Sequence, residues 1–181
     1  MTRIFTTLAW FAVLFMAATL VMGLLMGDLR HDPSPETISW ARVHRLCGVA
    51  AALAVVFVNS IVVTYFIGTS RWCKEVVETY RLDPTLAGRS TALKRRAFPW
   101  AVISMLTVVG VISLGGAADP ATGRPGTEDW VIIHFIGALL GLTFVIWASV
   151  VEWTYIHANH QVINDILAEV KRIRSDMGLE V

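Results

Sequence analysis

Four apolar runs constrain this chain more than any other feature. They extend from Ile4 to Gly27, from Ile38 to Ser70, from Ala97 to Ala118 and from Trp130 to about His157. Each exceeds the roughly 18 residues that a membrane-crossing helix needs. The second is free of charge from Leu46 onward, and the fourth is interrupted only by Glu152. Only 16% of the 181 residues are charged, against about a quarter in an ordinary soluble domain. The expectation is an all-α integral membrane protein, a four-helix transmembrane bundle in a single membrane domain covering residues 1–181. The first run has a basic start like a signal peptide but no A-x-A-like cleavage site, and it is read as a retained helix.

Charge in the connecting segments sets the expected orientation. Arg71, Lys74, Arg81, Arg89, Lys94, Arg95 and Arg96 lie between the second and third runs, and Lys171, Arg172 and Arg174 lie in the tail. The other two loops hold one arginine each, Arg30 and Arg124, beside Asp28, Asp32, Asp119, Glu128 and Asp129. The positive-inside bias then puts both termini on the cytoplasmic side of a cell's inner membrane. A net charge of +1 gives no reason to expect nucleic acid. Cys47 and Cys73 are expected near opposite faces of the bilayer, too far apart to bridge within one chain.

The chain also writes one phrase twice. Pro35-Glu36-Thr37-Ile38-Ser39-Trp40-Ala41-Arg42-Val43-His44 and Pro125-Gly126-Thr127-Glu128-Asp129-Trp130-Val131-Ile132-Ile133-His134 both read P-x-T-x-x-W-x-x-x-H, 90 residues apart. Segments 11–16 and 100–105 align at a spacing of 89, and Asp32-Pro33 matches Asp119-Pro120 at 87. Gly48 matches Gly137 at 89, a one-residue slip from the histidines. Two repeated helix hairpins, residues 4–70 and 97–160, are the economical reading. Repeats of even span number share one topology and are related by an axis along the membrane normal. Thr37 and Thr127 are the expected N-caps, and Pro99 is expected in the first turn of the third span. The stretch 161–181 carries Ile163, Ile166, Leu167, Val170 and Ile173 at helical spacing and is expected as a cytoplasmic amphipathic helix, on the membrane or on a partner.

Equal depth makes His44 and His134 the candidate site. Ionisable groups inside a span are costly and usually paired or functional. Beneath each runs a stripe of small residues: Gly48 and Ala51 on one helix, Gly137, Ala138 and Gly141 on the other. A flat macrocycle needs that pattern, and so does a close helix–helix seam. Trp40 and Trp130 fall one turn inside each helix start, as interfacial anchors or as cofactor packing. Arg42 and Arg45 flank His44 alone and would suit haem propionates or lipid headgroups. Glu152, on the face of His134, together with Asn59, Ser60 and Tyr65, gives the inner half room for a quinone head group or a proton path. His31, His157 and His160 are expected at loops or the interface.

On His44, His134, the small residues beneath them and the four spans, the chain resembles membrane b-type cytochromes, in particular the haem-bearing anchors of succinate dehydrogenase and fumarate reductase type complexes. The resemblance implies one haem b whose iron is held by His44 and His134, with Arg42, Arg45, Gly48, Gly137, Gly141, Trp40 and Trp130 around it. It also implies electron transport within a larger respiratory complex, with other membrane or peripheral subunits and lipid as partners. The alternatives are a non-redox scaffold or assembly subunit, a small transporter, and a histidine-ligated pigment protein.

Overall fold

The computed structural model describes residues 1–31 and 33–179; Asp32, one of the outer-loop acids noted above, lies outside the described residues. The chain forms four long helices, α1 (Thr2–Leu25), α2 (Pro35–Tyr80), α3 (Pro84–Ala118) and α4 (Asp129–Asp176), with a short 3-10 turn at Pro120–Thr122. There is no strand among the described residues. All four helices are long and apolar enough to cross a membrane. The protein is therefore a membrane helical bundle of four potential spans. In cross-section, α1 and α3 each pack against both α2 and α4, and α2 and α4 touch only sparsely across the diagonal.

Local chemistry explains the helix boundaries and corrects several expectations. Ser34, not Thr37, caps α2: its Oγ accepts the Thr37 N–H at 3.1 Å, and Pro35 occupies the first helical position. A serine followed by proline is a better start than the threonine three residues after that serine, because proline has no N–H to satisfy there. Thr127 also lies outside its helix. α4 begins at Asp129 after Glu128, and the Thr127 hydroxyl is used by Arg30 instead. Arg81 closes α2 in the left-handed conformation (φ 53°). The Asp83 carboxylate then accepts the Thr85 N–H at 2.9 Å and restarts the chain as α3. That backbone N–H holds the exposed Asp83 carboxyl below its ordinary range.

Pro99 is not at a helix start but inside α3. Residues 84–98 are already helical because Leu86 and Leu93 pack onto the neighbouring helices. The surrounding bundle offsets the lost backbone hydrogen bond, as is usual for proline in membrane helices. The amphipathic tail is likewise no separate element. α4 runs unbroken to Asp176 and lays Val162 and Ile166 against Cys73 and Val77 of α2, with Leu82 and Leu86 alongside. Helices of 46 and 48 residues are about 70 Å long, more than twice the roughly 30 Å hydrocarbon core. Their far ends, with the start of α3, form a three-helix extension with its own small core.

A polar clamp joins the spanning part to this extension. Asn159 is fully buried. Its side-chain nitrogen donates to Thr69 Oγ1 at 2.9 Å and to Tyr65 Oη at 3.1 Å, and its oxygen accepts from Ser90 Oγ at 2.8 Å. One residue of α4 thus binds α2 and α3 together. We expect Asn159→Ala to take from the buried Ser90 hydroxyl its amide acceptor and to destabilise by about 1–3 kcal/mol. A thermal melt of the purified protein checks this against Gln161→Ala, an exposed control; equal midpoints would contradict it.

Candidate functional site

The helix spacing brings His44 of α2 and His134 of α4 together at the end of the bundle away from the extension. Their ring centres are 6.5 Å apart and their planes lie 77° from one another. Two imidazoles on opposite sides of one metal, each with a metal–nitrogen bond of about 2.0–2.1 Å, have ring centres about 6.3 Å apart. The observed spacing fits within a few tenths of an ångström. The rings are half-buried, and Nε2 of neither makes a hydrogen bond among the described residues.

Each ring brings its Cε1 corner close against a glycine of the preceding helix. A Cβ on Gly23 would stand 3.0 Å from His44 Cε1, and a Cβ on Gly115 would stand 3.0 Å from His134 Cε1. His44 Nδ1 is 3.1 Å from the Thr19 carbonyl oxygen, one turn before Gly23. That carbonyl already belongs to the helix ladder toward residue 23, so only a bare backbone at 23 lets an imidazole reach its second lone pair. With Nδ1–H donating there, the tautomer is fixed and Nε2 carries the free lone pair, as in histidine ligands oriented by a second partner. His134 has the Val111 carbonyl beside it, one turn before Gly115, but its buried Nδ1 makes no hydrogen bond of good geometry.

Two guanidinium clamps tie the loops together at this end. Arg45 pairs with Asp119 through both carboxylate oxygens, at 2.9 and 2.8 Å. Arg30 reaches Glu128 at 2.7 Å, Thr127 Oγ1 at 2.8 Å and the Ala118 carbonyl at 3.2 Å. The Glu128 carboxyl is held low by its own backbone N–H and then by Arg30. In the first loop, Asp28 is held down to about 2 by the backbone N–H and ring of His31 and the N–H of Arg30.

The other expected site residues divide. Arg45 finds its acid in Asp119, whereas Arg42 is exposed and makes no ion pair among the described residues. Trp40 and Trp130 are 39% and 42% exposed, as interfacial anchors would be. Gly48 lies on ordinary contact with Thr19, on the ring side of α2. Gly137 and Gly141 instead serve the α3–α4 seam. A Cβ at these positions would stand 2.6 Å from Leu114 Cδ1 and 2.8 Å from Val111 Cγ2, so their bare faces are filled by α3 rather than by an open slot. His31, His157 and His160 are all exposed, and His157 stacks on Trp153.

Sequence reasoning missed Gly23, Gly115 and Arg30. The two glycines are 92 residues apart, outside the 89–90 spacing used to align the halves. Their shared signal is a glycine four or five residues before an aspartate at or just past the end of its helix (Asp28 after α1, Asp119 after α3). No family model matches the chain, and no curated protein or solved structure matches it either.

Neighbouring glycines supply an internal test. Gly116 has nothing within 4 Å of its would-be Cβ, whereas Gly115 has the His134 ring at 3.0 Å. We expect Gly116→Ala to leave the thermal midpoint unchanged or to raise stability by up to about 1 kcal/mol through helix propensity. Gly115→Ala should instead lower it by about 1 kcal/mol or more, because the ring must move. Equal effects would show that the glycine does not seat the imidazole.

Proposed function

We propose that this protein is a membrane b-type cytochrome that carries electrons through one haem b held between His44 and His134. The observation that carries the reading is the 6.5 Å ring spacing, with His44 Nδ1 engaged by a backbone carbonyl and both Nε2 atoms unbonded. Among the described residues no group of three or more His, Cys, Asp or Glu side chains stands ready to hold a metal. Two ligands alone suit a metal that brings its remaining ligands with it, and an iron porphyrin does so. Haem, when bound, supplies a one-electron redox centre whose potential the axial ligands, burial and nearby charge adjust.

In this reading the chain's own work is positional. Thr19 and Gly23 fix the His44 ring, and Gly115 seats the His134 ring. If haem were bound, His44 and His134 would be the residues that hold its iron, and the chemistry it would supply there is electron transfer rather than oxygen binding. Arg42 is the cation left for an anionic propionate, since Arg45 is neutralised by Asp119. Trp40, Trp130 and Gly48 border the site, and Gly137 and Gly141 act on it through the seam that places α4. Both termini are assigned to the cytoplasm and the histidine end to the opposite side of the inner membrane, on the lysine and arginine distribution. The three-helix extension is the surface offered to other subunits of a respiratory complex. For a quinone, the candidate position is the apolar groove lined by Met1, Phe57, Ser60, Ile61, Thr64 and Tyr65.

The full-length protein purified in detergent with added haem should show a reducible b-type absorption spectrum. His44→Ala and His134→Ala should each abolish the low-spin reduced bands and lower haem retention at least about tenfold, a loss of about 1.4 kcal/mol or more. Loss in only one variant would indicate a five-coordinate haem or another pigment. No chromophore in the wild type would leave the scaffold or transporter reading.

A further inference from the structure

A second buried feature lies far from the histidines. Glu152 of α4 is 1% exposed, and its Oε1 has no hydrogen-bond partner. Asn59 of α2 is 4% exposed; its nitrogen donates to the Val55 carbonyl at 2.9 Å, while its Oδ1 has no partner. The bonds from Asn159 to Tyr65 and Thr69, and the His44–His134 pair, both put Glu152 level with residues 58–62 of α2. The Ser90–Asn159 bond and the Gly115–His134 contact put Ala97 of α3 at the same level. Ala97 is fully buried, and Phe5, Ala9 and Ala12 are the buried residues that α1 contributes to this core. Two acceptor oxygens without donors thus occupy one apolar layer, on the two helices that lie across the diagonal of the bundle.

An ionised carboxylate in such a layer is expensive, and an amide oxygen cannot relieve it, because both are acceptors. One proton satisfies both groups. We propose that Glu152 and Asn59 form a proton-binding site in the bundle core, with Glu152 carrying the proton and donating it to Asn59 Oδ1. The proton comes from water at the extension end, converting carboxylate to carboxylic acid, and returns to water by the same route. Access is one-sided. Toward the extension, the hydroxyl and amide groups of Tyr65, Thr69, Ser90 and Asn159 begin about two turns away. Toward the histidines, the buried residues include Ala52, Val55, Ala101, Val108, Val145 and Ala148, with Ser104 the one buried hydroxyl between the layer and the level of Thr19 and the rings, among the described residues.

The ionisable groups on the elements around the layer do not meet Glu152. Arg3 on α1, Arg95 and Arg96 on α3 and His157 on α4 are exposed, and Met1 and Lys94 are half-buried. Tyr65 on α2 is engaged with Asn159, and Tyr155 on α4, one turn from Glu152, is half-buried against the core. None makes an ion pair or hydrogen bond with Glu152 among the described residues. The site does not depend on haem being bound.

Infrared spectroscopy of the full-length protein in detergent at neutral pH tests this directly. The expected result is a carboxylic-acid C=O band that shifts down in D2O, disappears in Glu152→Gln and moves to higher frequency in Asn59→Leu, where its hydrogen bond is gone. Dicyclohexylcarbodiimide should modify Glu152 in the wild type, located by peptide mass spectrometry, with labelling of that peptide at least tenfold lower in Glu152→Gln. The wild-type labelling and the Asn59→Leu band keep the test decisive if Glu152→Gln does not fold. Absence of a Glu152-dependent band together with no label on Glu152 would overturn the site. A band that Asn59→Leu leaves in place would overturn the pairing.

Discussion

Much of the structure depends on one close approach: the corner of an imidazole set against bare helix backbone. A side chain at Gly23 or Gly115 would occupy the space now filled by a histidine ring, and the two rings could not stand 6.5 Å apart with their planes fixed. α2 and α4 lie across a diagonal and touch only sparsely, so the separation of the histidines is set by α1 and α3. Each of those helices presents a glycine at the level of the ring. The Arg30 and Arg45 clamps then fix the loops that join these helices, at the end where the chain has least apolar packing to rely on.

Below that level the bundle is a stack of layers with different polarity. A stretch of buried alanine and valine with Ser104 follows the histidines, then the Glu152–Asn59 layer, then the Asn159 clamp, and last the extension core of Cys73, Val77, Val162 and Ile166. In lipid there is little hydrophobic drive between helices, so specificity comes from small-residue seams and from polar pairs. Gly137 and Gly141 provide the first and Asn159 the second. The extension adds a water-exposed segment in which ordinary hydrophobic burial operates again. It keeps α2 and α4 in register with α3 over a length no membrane span alone would provide.

The four helices were legible because uninterrupted apolar runs of this length admit few other structures. The histidine pair was legible because the same phrase opens two of the runs. Helix ends were read less well. Thr37 and Thr127 were expected as caps, but serine followed by proline starts α2 earlier, and Arg30 takes the Thr127 hydroxyl. Pro99 was expected at a helix start because proline disfavours helix interiors, yet tertiary packing of residues 84–98 overrides that local preference. The small residues under the histidines fitted either a cofactor slot or a seam, and composition cannot separate the two. At Gly137 and Gly141 the answer depends on where Leu114 and Val111 of another helix fall, and that is settled only in three dimensions. Gly23 and Gly115 stayed hidden for the same reason, since their partner in each case is a ring on the next helix.

The relative orientation of the two rings offers the most direct measurement of whether they share one iron. Low-temperature electron paramagnetic resonance of the oxidised, haem-loaded protein reports both the number of imidazole ligands and the angle between their planes. Planes near the 77° seen between His44 and His134 predict a strongly anisotropic low-spin ferric signal. A high-spin ferric signal, or a low-spin signal that persists unchanged in His134→Ala, would contradict the shared-iron account.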